Sequence, residues 1–440
     1  MDAKKPNYKK KAIGDHVLNP ESLMMSYGYN PSFSEGAVKP PVFLTSTFVF
    51  NSAEEGEEFF HVTSGRKPRA TGDDSMGGLI YSRFNHPNVE IVEDRIAILE
   101  GSEGCVAFAS GMGAISTVLL SYLRPNDVVL HSSPLYGGTE VLIRKIMPEF
   151  NIKTHDFTDG LDKEHMLEAM RRAAKDGTLK MVFIETPANP TNALVDFKAL
   201  LECVDIIAEE TGVRPITVCD NTMFGPIFQQ AVPQGIDLSV YSVTKYLGGH
   251  SDLVAGAVCG SKEHLKPIWA LRGAMGFNLD PHTSWMISRS LETVSIRMQR
   301  GADSALKVAQ WINGNPYIKA EIHHPDFKTG ARYQEVYKRQ CKGGGSTFSF
   351  SVDAPKAAMF KFINALQLFK SAVSLGGSES LVCHPASTTH SGVPEDVRGR
   401  VGVTDGLVRL SIGLEHPDDL IADLEQAFNT AFGSGAKKVA

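Results

Sequence analysis

The chain has 440 residues and a formal net charge of −6, and 42% of its residues are hydrophobic. This length and composition are typical of a globular protein of two or three domains, and the mild acidity argues against a nucleic acid or an anionic membrane as partner. No apolar stretch approaches the ~20 residues that a membrane-spanning helix requires.

The six cysteines are scattered along the chain and form no CxxC pair. The sequence therefore predicts neither a metal site nor a disulfide framework. Several of the cysteines lie in apolar segments, which is typical of buried, reduced thiols and favours a cytoplasmic location.

Residues 1–78 are predicted to form an N-terminal arm. Residues 1–11 carry five lysines and are followed by no apolar core, which indicates a disordered tail rather than a secretory signal. Residues 40–50 are expected to be extended, residues 52–60 to form a helix capped by Ser52, and residues 61–78 to form a polar loop. Because such a segment packs poorly alone, we expect it to lie on another body, such as a second subunit.

Residues 79–282 predict a domain in which helices alternate with short apolar strands. The predicted helices include 89–99 and 111–123, and a buried strand is predicted at 105–108. Further strands are predicted at 127–131, 152–156, 180–184, 216–219, 238–242 and 253–259. These strands lack polar alternation, as expected for strands buried on both faces, so the fold class is α/β with a mostly parallel sheet.

The carboxyl ends of these strands are the expected ligand site, because open parallel sheets bind their ligands there. The residues that follow predicted strands are Ser110, Tyr136, residues 185–189, Asp220 and Lys245.

Residues 283–440 predict a smaller C-terminal α+β domain. A long helix is predicted over 283–304 and continues to residue 313. Residues 346–352 alternate like a half-exposed strand, residues 407–412 form another strand, and residues 417–432 form the closing helix.

Lys245 lies between two predicted buried strands and is followed by two glycines. Burying an ammonium is costly, and a site that lowers the pKa of a lysine makes its amine a Schiff-base nucleophile. The hydroxyl groups of Ser242 and Thr244 could hold a phosphate nearby. Taken alone, the same stretch also fits a solvated loop lysine.

Residues 110–113 form a glycine-rich turn between a strand and a helix, where backbone N–H groups suit a phosphate. Ser116 stands at the last glycine position of a GxGxxG motif, so a dinucleotide site is disfavoured. An ordinary tight turn is the alternative.

Three further side chains could serve a flat cofactor and its substrate. Tyr136 could stack on a ring or simply cap a strand. Asp220 needs a buried partner, either a ring nitrogen or a structural arginine. Arg409 could bind a substrate carboxylate or form an internal ion pair. Together with Lys245 and the glycine-rich turn, they match the requirements of pyridoxal 5'-phosphate (PLP).

Six motifs carry a resemblance to a known family: 81–83 (YSR), 109–112 (ASGM), 135–139 (LYGGT), 185–190 (ETPANP), 220–222 (DNT) and 242–245 (SVTK). From about residue 40 to residue 432, the chain resembles the Cys/Met-metabolism family of PLP enzymes. This family includes cystathionine γ-synthase, cystathionine lyases, methionine γ-lyase and O-acylhomoserine sulfhydrylases. The resemblance implies a PLP-dependent transferase fold of the aspartate aminotransferase type, fold type I.

The resemblance also implies residue roles, with Lys245 and Tyr136 as the catalytic pair. Lys245 would hold the cofactor covalently, Tyr136 would stack on its ring and transfer protons, and Asp220 would pair with the ring nitrogen. The implied cofactor-binding residues are Tyr81, Arg83, Ser110, Gly111, Met112, Tyr136, Asn189, Asp220, Thr222, Ser242, Thr244 and Lys245. The implied substrate-binding residues are Tyr81, Asn189, Val373, Ser374 and Arg409.

The same resemblance implies a homo-oligomer, at least a dimer and usually a dimer of dimers. Tyr81 and Arg83 would reach the phosphate in a neighbouring subunit, so that the active sites are shared. The N-terminal arm would lie across the partner.

The implied reaction is elimination or replacement at Cγ of an L-amino acid, through a vinylglycine-type intermediate. The γ-substituent could be that of methionine, an O-substituted homoserine or canavanine. The alternatives are cystathionine γ-synthase or O-acylhomoserine sulfhydrylase activity, and cystathionine β- or γ-lyase activity. A PLP-fold protein that only binds or regulates is disfavoured, because Lys245, Asp220, Tyr136 and Arg409 are all present.

The specificity signals within the family conflict. Gly138 and Tyr246 depart from the residues usual in methionine γ-lyases, whereas residues 372–376 and 384–387 resemble that branch. By resemblance to the cystathionine γ-lyases, Val373 replaces a glutamate at a position that binds cystathionine. We therefore expect a substrate whose γ-substituent lacks a second amino-acid head.

Overall fold

The structure is a computed structural model that describes residues 8–64, 66–67, 78–315, 320–393 and 395–433. Residues 1–7 of the predicted tail over 1–11 and most of the predicted loop over 61–78 lie outside the described residues. The first elements are the paired strands β1 (Ala12–Ile13) and β2 (His16–Val17) and the helices α1 (Pro20–Met24), α2 (Ala53–Thr63) and α3 (Pro87–Glu100).

Helix α2 begins as predicted but ends later. The Ser52 hydroxyl accepts a hydrogen bond from the Glu55 N–H and so caps the helix. The helix continues to Thr63, so residues 61–63 are helical rather than part of a loop.

Seven strands form the larger sheet, in the spatial order β3-β9-β8-β7-β6-β4-β5. They are β3 (Gly104–Phe108), β4 (Asp127–Ser132), β5 (Lys153–Phe157), β6 (Thr178–Glu185), β7 (Ile216–Asp220), β8 (Leu238–Ser242) and β9 (Gly256–Gly260). Only β9 runs against the others, because it pairs antiparallel with both β3 and β8. The sheet is therefore mostly parallel, as predicted, and the strand predicted at 253–259 begins at Gly256.

Helices cover both faces of this sheet, which explains the apolar strands. They are α4 (Gly111–Tyr122), α5 (Gly137–Val141), α6 (Lys163–Asp176), α7 (Phe197–Thr211), α8 (Gly225–Phe228) and α9 (Lys262–Met275). In β4, Val129 packs into the core that contains α4 and α9, while Val128 and Leu130 pack against α6 and α7. Successive side chains of a strand point to opposite faces, so both sets must be apolar.

The C-terminal part contains a five-stranded sheet in the order β10-β11-β14-β13-β12. Its strands are β10 (Ala320–His323), β11 (Thr347–Val352), β12 (Lys370–Ser371), β13 (Leu381–Cys383) and β14 (Leu407–Ser411). The helices of this part are α10 (Pro281–Leu291), α11 (Val294–Asn313), α12 (Ala331–Gln340), α13 (Lys356–Ala365), α14 (Glu395–Arg400) and α15 (Pro417–Phe432). Helices α11, α13 and α15 pack on one face of the sheet around Phe348, Phe350 and Phe428.

The single helix predicted over 283–313 is wrong, because α10 ends at Leu291 and α11 begins at Val294. No proline or glycine marks the break. Instead, the Arg297 guanidinium donates to the Ser290 carbonyl (2.9 Å) and to the Tyr246 carbonyl (2.9 Å). It thereby satisfies a carbonyl at the end of α10 and is held in place by a second carbonyl that is distant in sequence.

The prediction of a half-exposed strand at 346–352 is also wrong, since the first four residues of β11 are buried. Two of its polar side chains, Thr347 and Ser349, contact the larger domain rather than water. Thr347 Oγ1 lies 2.7 Å from the Tyr246 hydroxyl, and the Ser349 hydroxyl donates to the Pro190 carbonyl (2.8 Å).

Every helix in the described part of the chain is too short or too polar to cross a bilayer. The C-terminal α+β domain is present, and the boundaries proposed after residues 78 and 282 stay predictions.

Candidate active site

A cavity of about 510 Å³ lies at the carboxyl ends of the parallel strands, where they meet the C-terminal sheet. It brings together 13 of the 15 residues that the sequence indicates. These are Ser110, Gly111, Met112, Tyr136, Asn189, Asp220, Thr222, Ser242, Thr244, Lys245, Val373, Ser374 and Arg409.

Lys245 follows β8 and directs its amine into this cavity. Its Nζ donates a hydrogen bond to the Ser374 hydroxyl (2.9 Å). Burial, and then the nearby cation of Arg409, lower the pKa of Lys245 to about 8. The neutral, nucleophilic amine is thus accessible near neutral pH. Because the amine lies in the cavity and is bonded to Ser374, Lys245 is not a solvated loop lysine.

Asp220 ends β7 and is buried at the floor of the cavity. Its Oδ1 accepts the Thr222 N–H (3.0 Å), and the Thr222 hydroxyl accepts the Ser242 N–H (2.8 Å). Burial raises the pKa of Asp220, and the bonds from Thr222 oppose that rise. No arginine pairs with Asp220 among the interactions of the described residues, so the structural-arginine alternative is not supported.

The glycine-rich turn caps helix α4, with the Ser110 hydroxyl accepting the Gly113 N–H (2.9 Å). Glycine is required because a Cβ at Gly111 would lie 3.1 Å from Ser242 Cα, and one at Gly256 would lie 2.2 Å from the Ser110 carbonyl oxygen. The first N–H groups of α4 therefore sit beside the Ser242 and Thr244 segment. A helix N-terminus bordered by hydroxyl groups suits a phosphate.

Arg409 reaches the cavity because β14 alternates. Val408 and Leu410 pack into the aromatic core, so Arg409 between them points to the other face of the sheet. Its guanidinium donates to Asn189 Oδ1 (3.0 Å) and to the Ser374 carbonyl (2.7 Å). Both partners are neutral, which leaves the positive charge for an anion.

Ser374 holds a backbone φ of 117°, a conformation that side chains other than glycine rarely adopt. In this conformation its hydroxyl meets Lys245 while its carbonyl meets Arg409. Strain concentrated at one residue of a cavity is typical of functional sites.

Tyr136 presents an exposed ring at the cavity mouth. The two glycines after it keep this space open. A Cβ at Gly138 would lie 2.7 Å from Tyr136 Cε1, and a Cβ at Gly137 would lie 2.4 Å from the Thr389 carbonyl oxygen. The Tyr136 ring is accordingly free to stack on a flat ligand.

Tyr81 and Arg83 do not line the cavity. Tyr81 is exposed and forms a bridge with Thr47, while Arg83 donates to the Gly273 carbonyl (2.8 Å) and lies over the Phe84 ring. Their position agrees with the implied role in a neighbouring subunit, which stays a prediction.

Several other residues line the cavity but received no individual role from the sequence patterns. Glu185 lies at the carboxyl end of a predicted strand, where a ligand is expected, but received no role. Thr388 and Thr389 lie in a loop without periodicity. The only available signal for the two threonines was their place next to the 384–387 motif.

These residues fit PLP. A lysine amine of lowered pKa, a buried carboxylate, an exposed aromatic ring and a helix N-terminus match its aldehyde, ring nitrogen, ring face and phosphate. The absence of a Cβ at Gly111 and Gly256 lets the turn before α4 lie directly against Ser242, which brings the phosphate-binding groups together.

A family model for Cys/Met metabolism PLP-dependent enzymes matches residues 21–429. The L-methionine γ-lyase of Pseudomonas deceptionensis is 38% identical over 403 residues, which is 91% of this chain and 95% of that protein. The O-succinylhomoserine sulfhydrylase of Mycobacterium tuberculosis is 34% identical over 88% of this chain and 90% of its own length.

The solved structures agree. Cystathionine γ-synthase from Xanthomonas oryzae pv. oryzae superimposes with a TM-score of 0.81 at 29% identity, over 94% of this chain and 98% of that one. Cystathionine γ-lyase from Lactobacillus plantarum gives a TM-score of 0.81 at 29% identity. The predicted fold type I, the PLP cofactor and the carbon–sulfur lyase class are confirmed, and the chain belongs to the Cys/Met-metabolism family of PLP-dependent enzymes.

Proposed function

We propose that this enzyme removes the γ-substituent of an L-amino acid such as methionine, an O-substituted homoserine or canavanine. The observation that carries the proposal is the arrangement of Arg409, Asn189 and Ser374 beside the Lys245 amine. An α-carboxylate bound to Arg409 would place its Cα next to a base of lowered pKa. The match to L-methionine γ-lyases supports the choice of substrate.

PLP, when bound, supplies an electron sink that acidifies the Cα and Cβ protons of the substrate. Asp220 would hold a proton on the ring nitrogen, which would strengthen that sink. The helix N-terminus at Gly111 and Met112, with Ser242 and Thr244, would hold the phosphate, and the Tyr136 ring would stack on the cofactor.

Lys245 and Tyr136 move the protons. The Lys245 amine, neutral above its lowered pKa of about 8, takes the Cα proton as general base. Loss of a Cβ proton then supplies the electron pair that breaks the bond between Cγ and its substituent. The Tyr136 hydroxyl would assist by giving a proton to the departing group. Hydrolysis of the remaining four-carbon unit gives 2-oxobutanoate and ammonia.

Replacement of the γ-substituent by a thiol is the second candidate. The similarity to O-succinylhomoserine sulfhydrylase favours it, and a cavity of about 510 Å³ leaves room for an incoming nucleophile. Both candidates use the same residues and differ only in the fate of the four-carbon unit after the γ-substituent has left.

Product analysis tests the proposal. Purified enzyme is incubated with methionine, O-acylhomoserines, canavanine or cystathionine, each with and without an added thiol. We expect 2-oxobutanoate from a substrate without a second amino-acid head. Pyruvate as the main keto acid would overturn the proposal in favour of β-elimination, and a thioether product would select replacement.

Val373 is expected to set selectivity against cystathionine. Its side chain is 58% exposed at the cavity wall and offers no charge to a second amino-acid head. Val373→Glu should raise the ratio of kcat/KM for cystathionine to that for methionine by about 10-fold, the lower end for a charge-assisted partner because the site is solvated. Val373→Gln is the neutral control. Unmodified enzyme that already prefers cystathionine would contradict the assignment.

The lowered pKa of Lys245 predicts how the apoenzyme captures PLP. Only the neutral amine attacks the aldehyde, so the capture rate should rise about 10-fold between pH 7 and pH 9, with a midpoint near 8. Arg409→Gln removes the neighbouring cation and should move this midpoint to higher pH. A profile without inflection below pH 10 would contradict the prediction.

We further propose that the enzyme is a homo-oligomer, a dimer of dimers with shared sites. Three apolar side chains of the N-terminal part, Val38, Leu44 and Val49, are 82%, 81% and 92% exposed, which favours a partner surface over them. We also propose a cytoplasmic location, where reducing conditions would maintain the six free thiols.

A further inference from the structure

Glu185 is a buried carboxyl group at the edge of the cavity, and the chemistry above does not use it. It is the last residue of β6 and is only 4% exposed. Its Oε2 accepts the Tyr136 N–H (2.6 Å), and its Oε1 accepts the Asn189 N–H (2.9 Å). Both carboxyl oxygens are thus committed to backbone groups of the site.

The two N–H groups belong to different loops with different tasks. Tyr136 follows β4 and carries the ring at the cavity mouth. Asn189 follows β6, and its amide oxygen accepts the Arg409 guanidinium. One side chain therefore ties the stacking ring to the carboxylate-binding group.

This link has an electrostatic cost. Glu185 lies directly beside Asp220, because the two are partners in the register of β6 and β7. Burial, and then the neighbouring Asp220 carboxyl, raise the pKa of Glu185 well above its usual range. Two adjacent buried carboxyl groups destabilise one another unless something requires them.

The geometry explains why a carboxyl group is retained. A glutamine has the same length but only one acceptor oxygen, so its amide would turn an N–H group toward one of the two backbone donors. An aspartate is one methylene shorter and cannot span both. Only glutamate supplies two acceptors at this reach.

We propose that Glu185 is a positioning residue that holds the Tyr136 ring and the Asn189–Arg409 pair in a fixed relation to each other. It sets the ring plane of the cofactor relative to the substrate carboxylate through its hydrogen bonds to the two loops. This role goes beyond the proposed function, because it holds for any α-amino acid substrate.

Two holoenzyme variants, Glu185→Gln and Glu185→Asp, test the proposal. The first readout is the induced circular dichroism of bound PLP per unit of its visible absorbance, measured without substrate, because it reports ring orientation in the site. Both variants should lose at least about half of this signal while keeping the visible band. The second readout is kcat/KM, which should fall about 10- to 100-fold in both.

Asp423→Asn is the matched control. Asp423 is likewise buried and accepts three backbone N–H groups, those of Gln367, Leu368 and Phe369, but does not line the cavity. It should lower the unfolding midpoint while the dichroism and kcat/KM stay within about two-fold of the parent.

Several outcomes would overturn the proposal. Glu185→Asp at parental levels would show that charge alone matters, and Glu185→Gln at parental levels would show that neither acceptor matters. Equal losses of dichroism and kcat/KM in Asp423→Asn would show that Glu185 contributes only to general stability. If Glu185→Gln is insoluble, the dichroism and kcat/KM of Glu185→Asp decide the proposal. The dichroism is measured without substrate, so failure of this proposal is distinguishable from failure of the proposed function.

Discussion

Lys245→Ala is expected to yield a colourless protein that turns over no γ-substituted amino acid. The amine both captures the cofactor aldehyde and takes the Cα proton, so one truncation removes two functions. We expect kcat to fall at least about 10⁴-fold. The visible absorbance of the purified protein and a keto-acid assay measure the two losses.

The control for this variant is Lys163→Ala, which removes a lysine that pairs with Glu202 at the surface. Its colour and turnover should match those of the parent. If Lys245→Ala kept its activity, PLP chemistry at this site would be refuted as a whole.

Mixing two inactive variants is expected to restore activity. Arg83→Ala removes the arginine that we propose to reach the partner's phosphate, and Lys245→Ala removes the nucleophile. In a mixed dimer, one site combines an intact Lys245 from one subunit with an intact Arg83 from the other. Random exchange at equal amounts then gives about a quarter of the parental activity, from a background near zero.

Subunit exchange must be measured alongside, for example with one variant carrying a mass tag. Arg83 donates to the Gly273 carbonyl and lies outside the cavity of its own chain, which is why we expect recovery. Proven exchange without recovery would mean that Arg83 serves its own subunit or only the fold.

The sequence predicted most of the larger sheet because its strands are short apolar segments between helices. The α/β fold class can be recognised from this local alternation of strands and helices, without information about contacts between distant segments. The strand-end rule then placed Ser110, Tyr136, Asp220 and Lys245 at one edge, and the cavity joins all four. Arg409 was predicted as an anion site, and its neutral partners remove the internal ion pair as an alternative.

Features that depend on contacts between distant segments were not predictable. The break between α10 and α11 depends on Arg297, whose guanidinium reaches Tyr246 across 51 positions. The alternating polar residues of β11 are typical of a strand with one face in water. That face is buried only because the larger domain packs against it. Thr388 and Thr389 enter the cavity through the close approach to Gly137, which no local pattern reveals.

The position of Arg409 in β14 also constrains how the C-terminal sheet assembles. A slip of one residue against β11 would turn the guanidinium into the cluster of Phe348, Phe350 and Phe428 and turn Val408 or Leu410 toward the cavity. Burying an unpaired cation among aromatic rings costs far more than the slip could recover. Arg409, which we propose binds the substrate's carboxylate, therefore also disfavours a shifted pairing of β14 with β11, so one side chain would serve both the substrate site and the register of the sheet.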